Sequence, residues 1–178
     1  MRIISGSHKG RKLIAPRNLP VRPTTDFAKE GLFNILHHRI DLHEASVLDL
    51  FSGTGNIAYE CASRGCPDVT AVDGHHGCVN FISKTATALE LPITAMKADV
   101  FKYLDHATKP QTLIFADPPY DFDSEQLALL VSKVFENNLL KEDGFLIIEH
   151  TKHIDLSFIS EFEELRKYGG SVFSFFPK

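Results

Sequence analysis

The sequence is poor in the residues that mark several common protein classes. It has no tryptophan, two methionines and three cysteines in 178 residues. Cys61, Cys66 and Cys78 show neither paired CxxC nor Cys/His ligand spacing, so they suggest no disulfide framework and no zinc site and read as packing thiols. His37-His38 and His75-His76 are sequence neighbours, which do not share a helix face as HExxH ligands do. They read as surface residues, and no metal is expected. No uncharged apolar run reaches the roughly 18 residues of a membrane span. The start, MRIISGSHKGRKLIAP, turns basic where a signal peptide is apolar. A cytoplasmic protein is expected. Repeats and low-complexity linkers are missing too, and the length fits one main domain with at most an appendage.

Positive charge is scarce overall, with a net charge of -4, but it is not evenly spread. Residues 1–30 carry seven basic residues against two acidic ones, a balance of +5 that leaves -9 for the remainder. A basic arm on an acidic body points to an anionic partner, such as a nucleic-acid backbone. RIISGSH and KLIAP flank Lys9-Gly10-Arg11 and read as a hairpin with basic residues at its turn. Arg22-Pro23-Thr24-Thr25-Asp26 then reads as an extended segment and helix cap. Phe27, Leu32, Phe33, Ile35 and Leu36 supply the apolar face of a helix to about His38.

From Ala45 onward, short β-branched runs alternate with helix-length segments, the pattern of βαβ units and a parallel sheet. Strands are expected at 47–51, 69–73, 93–99, 112–117 and 145–150, and helices at 56–64, 76–89 and 124–137. FEELRKYGGSVFSFF reads as a closing antiparallel hairpin about Gly169-Gly170. Acids recur in the first strand and at the ends of the next three: Asp49, Asp73, Asp99 and Asp117. One acid there is commonly a cap or turn former, but ligands of open α/β sheets bind beyond these carboxyl ends.

Asp49-Leu50-Phe51-Ser52-Gly53-Thr54-Gly55 joins the first strand to a helix, and its glycines let backbone approach a ligand closely. Gly53, Gly55 and Ala58 also satisfy the GxGxxG/A dinucleotide pattern, so the loop alone leaves a dehydrogenase open. Asp73, roughly twenty residues on, suits the ribose of NAD or of any adenosine ligand. Asp49 separates the two, because a carboxylate beside the loop repels pyrophosphate and attracts the ammonium of an amino-acid-like cofactor. It favours S-adenosylmethionine.

Asp117-Pro118-Pro119-Tyr120 ends the apolar run LIFA with two fixed φ angles and two missing backbone donors. Such rigidity suits an amine conjugated to a base ring. The Asp117 carboxylate and the Pro118 carbonyl can each accept one N–H, favouring a pyramidal nitrogen, while Tyr120 stacks on the base.

In this order, RIISGSHKGRKLIAP, RPTTDFAKEGLFNIL, VLDLFSGTGNIAYECASRG and FADPPY resemble the class I methyltransferases, and within them the family that methylates N2 of one guanine in bacterial 16S ribosomal RNA. The likeness spans nearly the whole chain, with RPTTD...E..FN its most specific part. It implies a Rossmann-like α/β fold: a mostly parallel seven-stranded sheet, helices on both faces and a closing antiparallel hairpin. It also implies an N-terminal β-hairpin and linker over 1–25 and a methyltransferase domain over 26–178.

Carried over by position, Asp49, Phe51, Gly53, Thr54 and Gly55 form the methionine-side wall, Asp73 takes the ribose, and Asp99 and Val100 meet the adenine. Asp117, Pro118 and Tyr120 clamp the target base. Lys9, Arg11, Lys12, Arg22, Thr24, Thr25 and Lys29 form the RNA-gripping region. The chain departs from the family pattern at Phe27, where arginine is usual, and at Lys29, which replaces arginine and cannot reproduce its bidentate fork. Phe27 is expected in the core. The implied partner is 16S rRNA in a 30S subunit or assembly intermediate, met by a monomer. Two other readings stay open: a DNA adenine or cytosine amino methyltransferase, and a catalytically idle RNA-binding assembly factor.

Overall fold

Along the central strands, successive side chains join different cores, which is the alternation that builds a three-layer fold. The computed structural model describes residues 1–16, 19 and 24–178. Its helices are α1 (Asp26–Arg39), α2 (Asn56–Ser63), α3 (His76–Ala88), α4 (Val100–His106) and α5 (Ser124–Glu136). Its strands are β1 (Ser46–Leu50), β2 (Asp68–Asp73), β3 (Ile93–Lys97), β4 (Gln111–Ala116), β5 (Leu140–His150), β6 (Glu164–Tyr168) and β7 (Ser171–Pro177). They form one seven-stranded sheet in the order β3-β2-β1-β4-β5-β7-β6. β1 to β5 run parallel, and β7 is antiparallel to both β5 and β6.

Val47, Leu113, Phe115, Phe145, Ile147, Phe173 and Phe175 pack with the apolar faces of α1 and α2. Leu48, Leu50, Ile114, Leu146 and Ile148 pack with α4 and α5 on the other side. Because both faces are covered, β1 is buried at every residue. Helix ends follow local chemistry. Thr25 caps α1 by accepting from the Ala28 N–H, and α5 opens with a reciprocal Asp123/Gln126 capping box.

Three expectations shift. The fifth strand starts at Leu140 rather than at residue 145. The third strand stops at Lys97 rather than running to residue 99, because Asp99 caps α4 by accepting the Lys102 N–H at 3.0 Å. That short helix was not foreseen. Phe27 lies outside the core, 66% exposed, with its ring edge-on to Tyr168 at 5.9 Å. α1 instead turns Ala28, Lys29, Leu32, Phe33 and Leu36 inward, so a lysine occupies the buried face.

The N-terminal segment pairs as the expected hairpin, through the Arg2–Lys12 bridge, the Ile3–Arg11 and Gly10–Ile3 backbone bonds and the reciprocal bonds between Met1 and Leu13. It is pinned to the body by burial of Ile3 and Leu13 and by the Glu60 carboxylate, which accepts from the Ile4 and Ser5 N–H groups. Lys9, Arg11 and Lys12 remain exposed. No described helix is long and apolar enough to cross a membrane.

Candidate active site

The strand order reverses between β1 and β4: the chain builds outward from β1 to β3, then returns to place β4 on the other side of β1. Loops leaving these neighbouring strands diverge, and a cavity of about 790 Å³ opens beyond their carboxyl ends. Its lining includes Asp49, Phe51, Gly53, Thr54, Asp73, Asp99, Val100, Asp117, Pro118 and Tyr120. All were singled out in the sequence. Gly55 does not line the cavity; it shapes the loop from behind.

That loop is sharply bent. Phe51, Gly53 and Gly55 have φ values of 54°, 53° and 81°. For Phe51 the left-handed conformation costs roughly 1–2 kcal/mol, and strain of this kind persists where surrounding structure over-determines it. Here the Phe51 ring meets Phe122 edge-on at 5.5 Å, and Phe122 stacks on Phe101 at 6.1 Å. This aromatic trio joins the loops after β1 and β4 to α4. Gly55 N–H donates to Ser52 O at 2.7 Å, and a Cβ at Gly55 would lie 2.9 Å from Ile82 Cγ1. Gly53 N–H donates to Asp73 Oδ2 at 2.8 Å, and His75 N–H donates to Asp73 Oδ1 at 2.7 Å.

The acids are not equivalent. Asp49 is 2% exposed, and its Oδ2 accepts from the Ala58 N–H of α2 at 3.1 Å. Burial pushes its carboxyl up to about 8, opposed by that hydrogen bond and reinforced by the charge of Asp73. Burial also pushes Asp117 well above the usual carboxylate range, with the charges of Glu149 and Asp49 adding to the effect. Asp99 is exposed and serves as a helix cap as well as a wall. Pro118 is buried and Tyr120 is 62% exposed at the rim. A cavity floored by carboxyl groups attracts cations and groups rich in N–H and O–H.

The RNA-facing residues divide differently from expectation. Lys29 is fully buried: its Nζ donates to Arg2 O at 2.6 Å and Asn56 Oδ1 at 2.8 Å, and pairs with Glu60 at 3.3 Å. It holds the hairpin to the body and cannot grip RNA. Thr24 is 7% exposed; its hydroxyl donates to Glu149 Oε2 at 2.7 Å, and its carbonyl accepts from Asn56 Nδ2 at 2.8 Å. It is part of the cavity wall rather than of an outer face. Thr25 caps α1. Arg22 lies outside the described residues.

Sequence reasoning missed Glu149, Asn56 and Phe122. Glu149 had a readable signal: an acid inside the apolar run FLIIEH, the same anomaly that drew attention to Asp49 in VLDLF. The other two had none, since an asparagine in a helix and a phenylalanine in a loop are unremarkable.

Residues 1–177 match the family model described as conserved hypothetical protein 95. The chain belongs to this family. It is 37% identical over 161 residues to YlbH of Bacillus subtilis, provisionally named an rRNA methyltransferase, spanning 88% of this chain and 85% of that one. It is 33% identical over 159 residues to ribosomal RNA small subunit methyltransferase D of Haemophilus influenzae, spanning 85% and 79% of the two chains. A solved protein of Thermus thermophilus superposes with a TM-score of 0.85 at 25% identity, over 99% of this chain and 98% of that one. The fold also matches a Thermus thermophilus 16S rRNA N2 G1207 methyltransferase solved with AdoMet and guanosine. There the TM-score is 0.68 at 20% identity, covering 90% of this chain and 45% of the other. This chain is therefore a methyltransferase with the class I fold.

Proposed function

We propose that this methyltransferase methylates the exocyclic N2 amine of one guanine in bacterial 16S rRNA, using S-adenosylmethionine. The observation that carries the reading is the shared cavity: the Asp117-Pro118 end of β4 faces the same space as the glycine loop after β1. A methyl donor and an amine acceptor must meet in one such space.

The cofactor fits the residues present. Asp49 offers a buried carboxyl to the cationic amino-acid end, the Phe51 to Gly55 turn brings backbone close, Asp73 accepts from ribose hydroxyls, and Asp99 and Val100 flank the base. When bound, the cofactor supplies an activated methyl group on a sulfonium centre. A positive charge beside Asp49 and Asp117 offsets the burial and mutual repulsion that favour their neutral forms, so both ionise more readily.

The protein's part in the chemistry is then positional. A ring-conjugated amine is a poor nucleophile because its lone pair is delocalised. Asp117 accepts one N–H and the Pro118 carbonyl the other, turning the lone pair out of conjugation, and Tyr120 at the rim fixes the base plane. The base must leave its stack to reach this depth, which is cheapest in a loop. Lys9, Arg11 and Lys12 of the hairpin meet phosphates, while Thr24, Thr25 and Lys29 act on the RNA only by fixing the hairpin and the cavity wall. We assign residues 1–25 to RNA docking and 26–178 to methyl transfer. The acidic body makes protein-free RNA a poor ligand, so a 30S assembly intermediate, met by a monomer, is the assigned substrate.

Methyl transfer from labelled S-adenosylmethionine to 30S particles from cells lacking this protein tests the reading, followed by nuclease digestion and nucleoside identification. N2-methylguanosine at one position is expected. N6-methyladenosine or the absence of label overturns it, and equal labelling of protein-free 16S rRNA overturns the choice of particle.

A further inference from the structure

β4 and β5 run in parallel with Phe115 opposite Ile147 and Ala116 opposite Ile148. Continuing that register by one residue puts Asp117 abreast of Glu149, with neighbouring strands about 4.8 Å apart. The two-residue period of a strand puts Asp117 on the same face as Phe115, and Glu149 on the same face as Ile147, the face that also carries Val47 and Asp49. Glu149 is 4% exposed and does not line the large cavity; it borders a small void behind the Pro118 to Tyr120 turn. Thr24 donates to its Oε2 at 2.7 Å and Ser171 to its Oε1 at 2.6 Å. Two hydroxyl donors hold the carboxyl in one orientation, behind the group that meets the substrate.

Placing a methyl on a ring amine forms one N–C bond while the donor's S–C bond breaks, and leaves the nitrogen cationic with one proton too many. That proton needs an acceptor within reach of the amine. We propose that Glu149 is a positioning residue that acts through Asp117, the two forming a carboxyl pair that keeps one proton between them and takes up the proton released by the methylated amine. This rests on the amine-methylating function proposed above. Like charges on adjacent buried strands cannot both ionise cheaply, so the presence of Glu149 makes Asp117 a stronger base. Burial and the Glu149 charge push Asp117 up, while Glu149, itself raised by burial, is eased down by Ser171 and Thr24.

The charged neighbours are few. Asp117 comes from the end of β4 and Asp49 from β1, whose charge also bears on Asp117. Lys29 of α1 is turned to Glu60 instead. His150, the next residue of β5, bonds Ser174 Oγ and Thr151 O.

The test uses the full chain with Glu149→Gln and, as a milder change, Ser171→Ala, which leaves the carboxyl but strips one hydrogen bond. The first readout needs no cofactor: the 13C carboxyl titration of Asp117. Glu149→Gln is expected to move it to lower pH, and Ser171→Ala to move it the same way by less. The second is the kcat profile on the rRNA substrate. Its acid limb is expected to follow the titration downward while the plateau falls at least about tenfold, with the cofactor Kd unchanged. An unmoved Asp117 titration, or a plateau loss with an unmoved acid limb, overturns the proposal, the latter being what a purely structural Glu149 would give. Absence of guanine methylation by the unsubstituted protein would instead count against the function, a result distinct from the carboxyl titration.

Discussion

Lys29 Nζ lies 3.3 Å from Glu60 Oε2, and both side chains are fully buried. Burial pulls the Lys29 ammonium below its ordinary range, partly offset by the Glu60 charge and hydrogen bond. The pair joins α1 to α2, and Glu60 also accepts from the backbone of Ile4 and Ser5, so the hairpin hangs on the same carboxylate. Lys29→Ala leaves that buried carboxylate with Arg64 as its remaining cation, whose Nε donates to Oε1 at 2.8 Å, and should cost about 1.5–3 kcal/mol of stability in urea unfolding. A loss of under about 1 kcal/mol, the scale of an exposed pair, would contradict the assignment.

Asp49 makes cofactor binding depend on pH. Its carboxyl is raised to about 8 by burial, so near pH 7 the ligand-free protein holds a proton there that a cationic ligand must displace. Affinity should rise with pH up to about 8 and then level off, and calorimetry at pH 7 in buffers of different ionisation enthalpy should show proton release. Asp49→Asn should bind more weakly and lose both effects. The same group acts on folding with a fixed sign. Because the native state binds the proton more tightly than the unfolded chain, its contribution is complete below the ordinary value of 3.8 and is lost as pH rises through about 8.

Gly55 tests the loop. At φ 81°, an added Cβ would be strained, and it would sit 2.9 Å from Ile82 Cγ1 and 3.1 Å from the Tyr59 ring. Gly55→Ala should cost about 1–2 kcal/mol of stability and weaken cofactor binding by displacing Gly53, whose N–H holds Asp73. Cofactor affinity equal to that of the parent would show that the turn tolerates the change.

The sheet and the cavity were legible because their causes are local. Buried parallel strands need long β-branched runs, tight approach needs glycine, and DPPY is stiff by covalent structure. What escaped depends on pairing between distant segments. Lys29 looked like an exposed basic residue because its partner Glu60 lies 31 positions away, yet Ala28, Leu32, Phe33 and Leu36 already marked its helix face as buried. Phe27 looked like core because it is apolar, while the wheel of α1 leaves it outside. Glu149 takes its meaning from Thr24, 125 positions away in sequence. α4 was too short to show a period.

Tyr120 separates stacking from hydrogen bonding at the rim. If its ring fixes the plane of the target base, Tyr120→Phe should keep near-parent kcat/KM. Tyr120→Ala should lose about 1–3 kcal/mol of stacking, roughly 5- to 150-fold in kcat/KM. Steady-state kinetics on the rRNA substrate checks this, and equal losses for both substitutions would assign the role to the hydroxyl.

The exposed basic residues of the hairpin make the last prediction. Lys9, Arg11 and Lys12 are exposed on a segment whose backbone is tied to α2 through Glu60 and Ser63. Their charges are thus held on a rigid support instead of a free tail, which lowers the ordering cost of docking. Replacing all three with alanine should raise KM for RNA and leave kcat nearly unchanged, because none lines the cavity. Each lost phosphate contact should also reduce the slope of log affinity against log salt by about 0.7–0.9. Binding measured across a salt series distinguishes this from misfolding, since a misplaced hairpin would lower kcat and a lost contact would not. An unchanged salt slope would move the RNA-binding face away from the hairpin altogether.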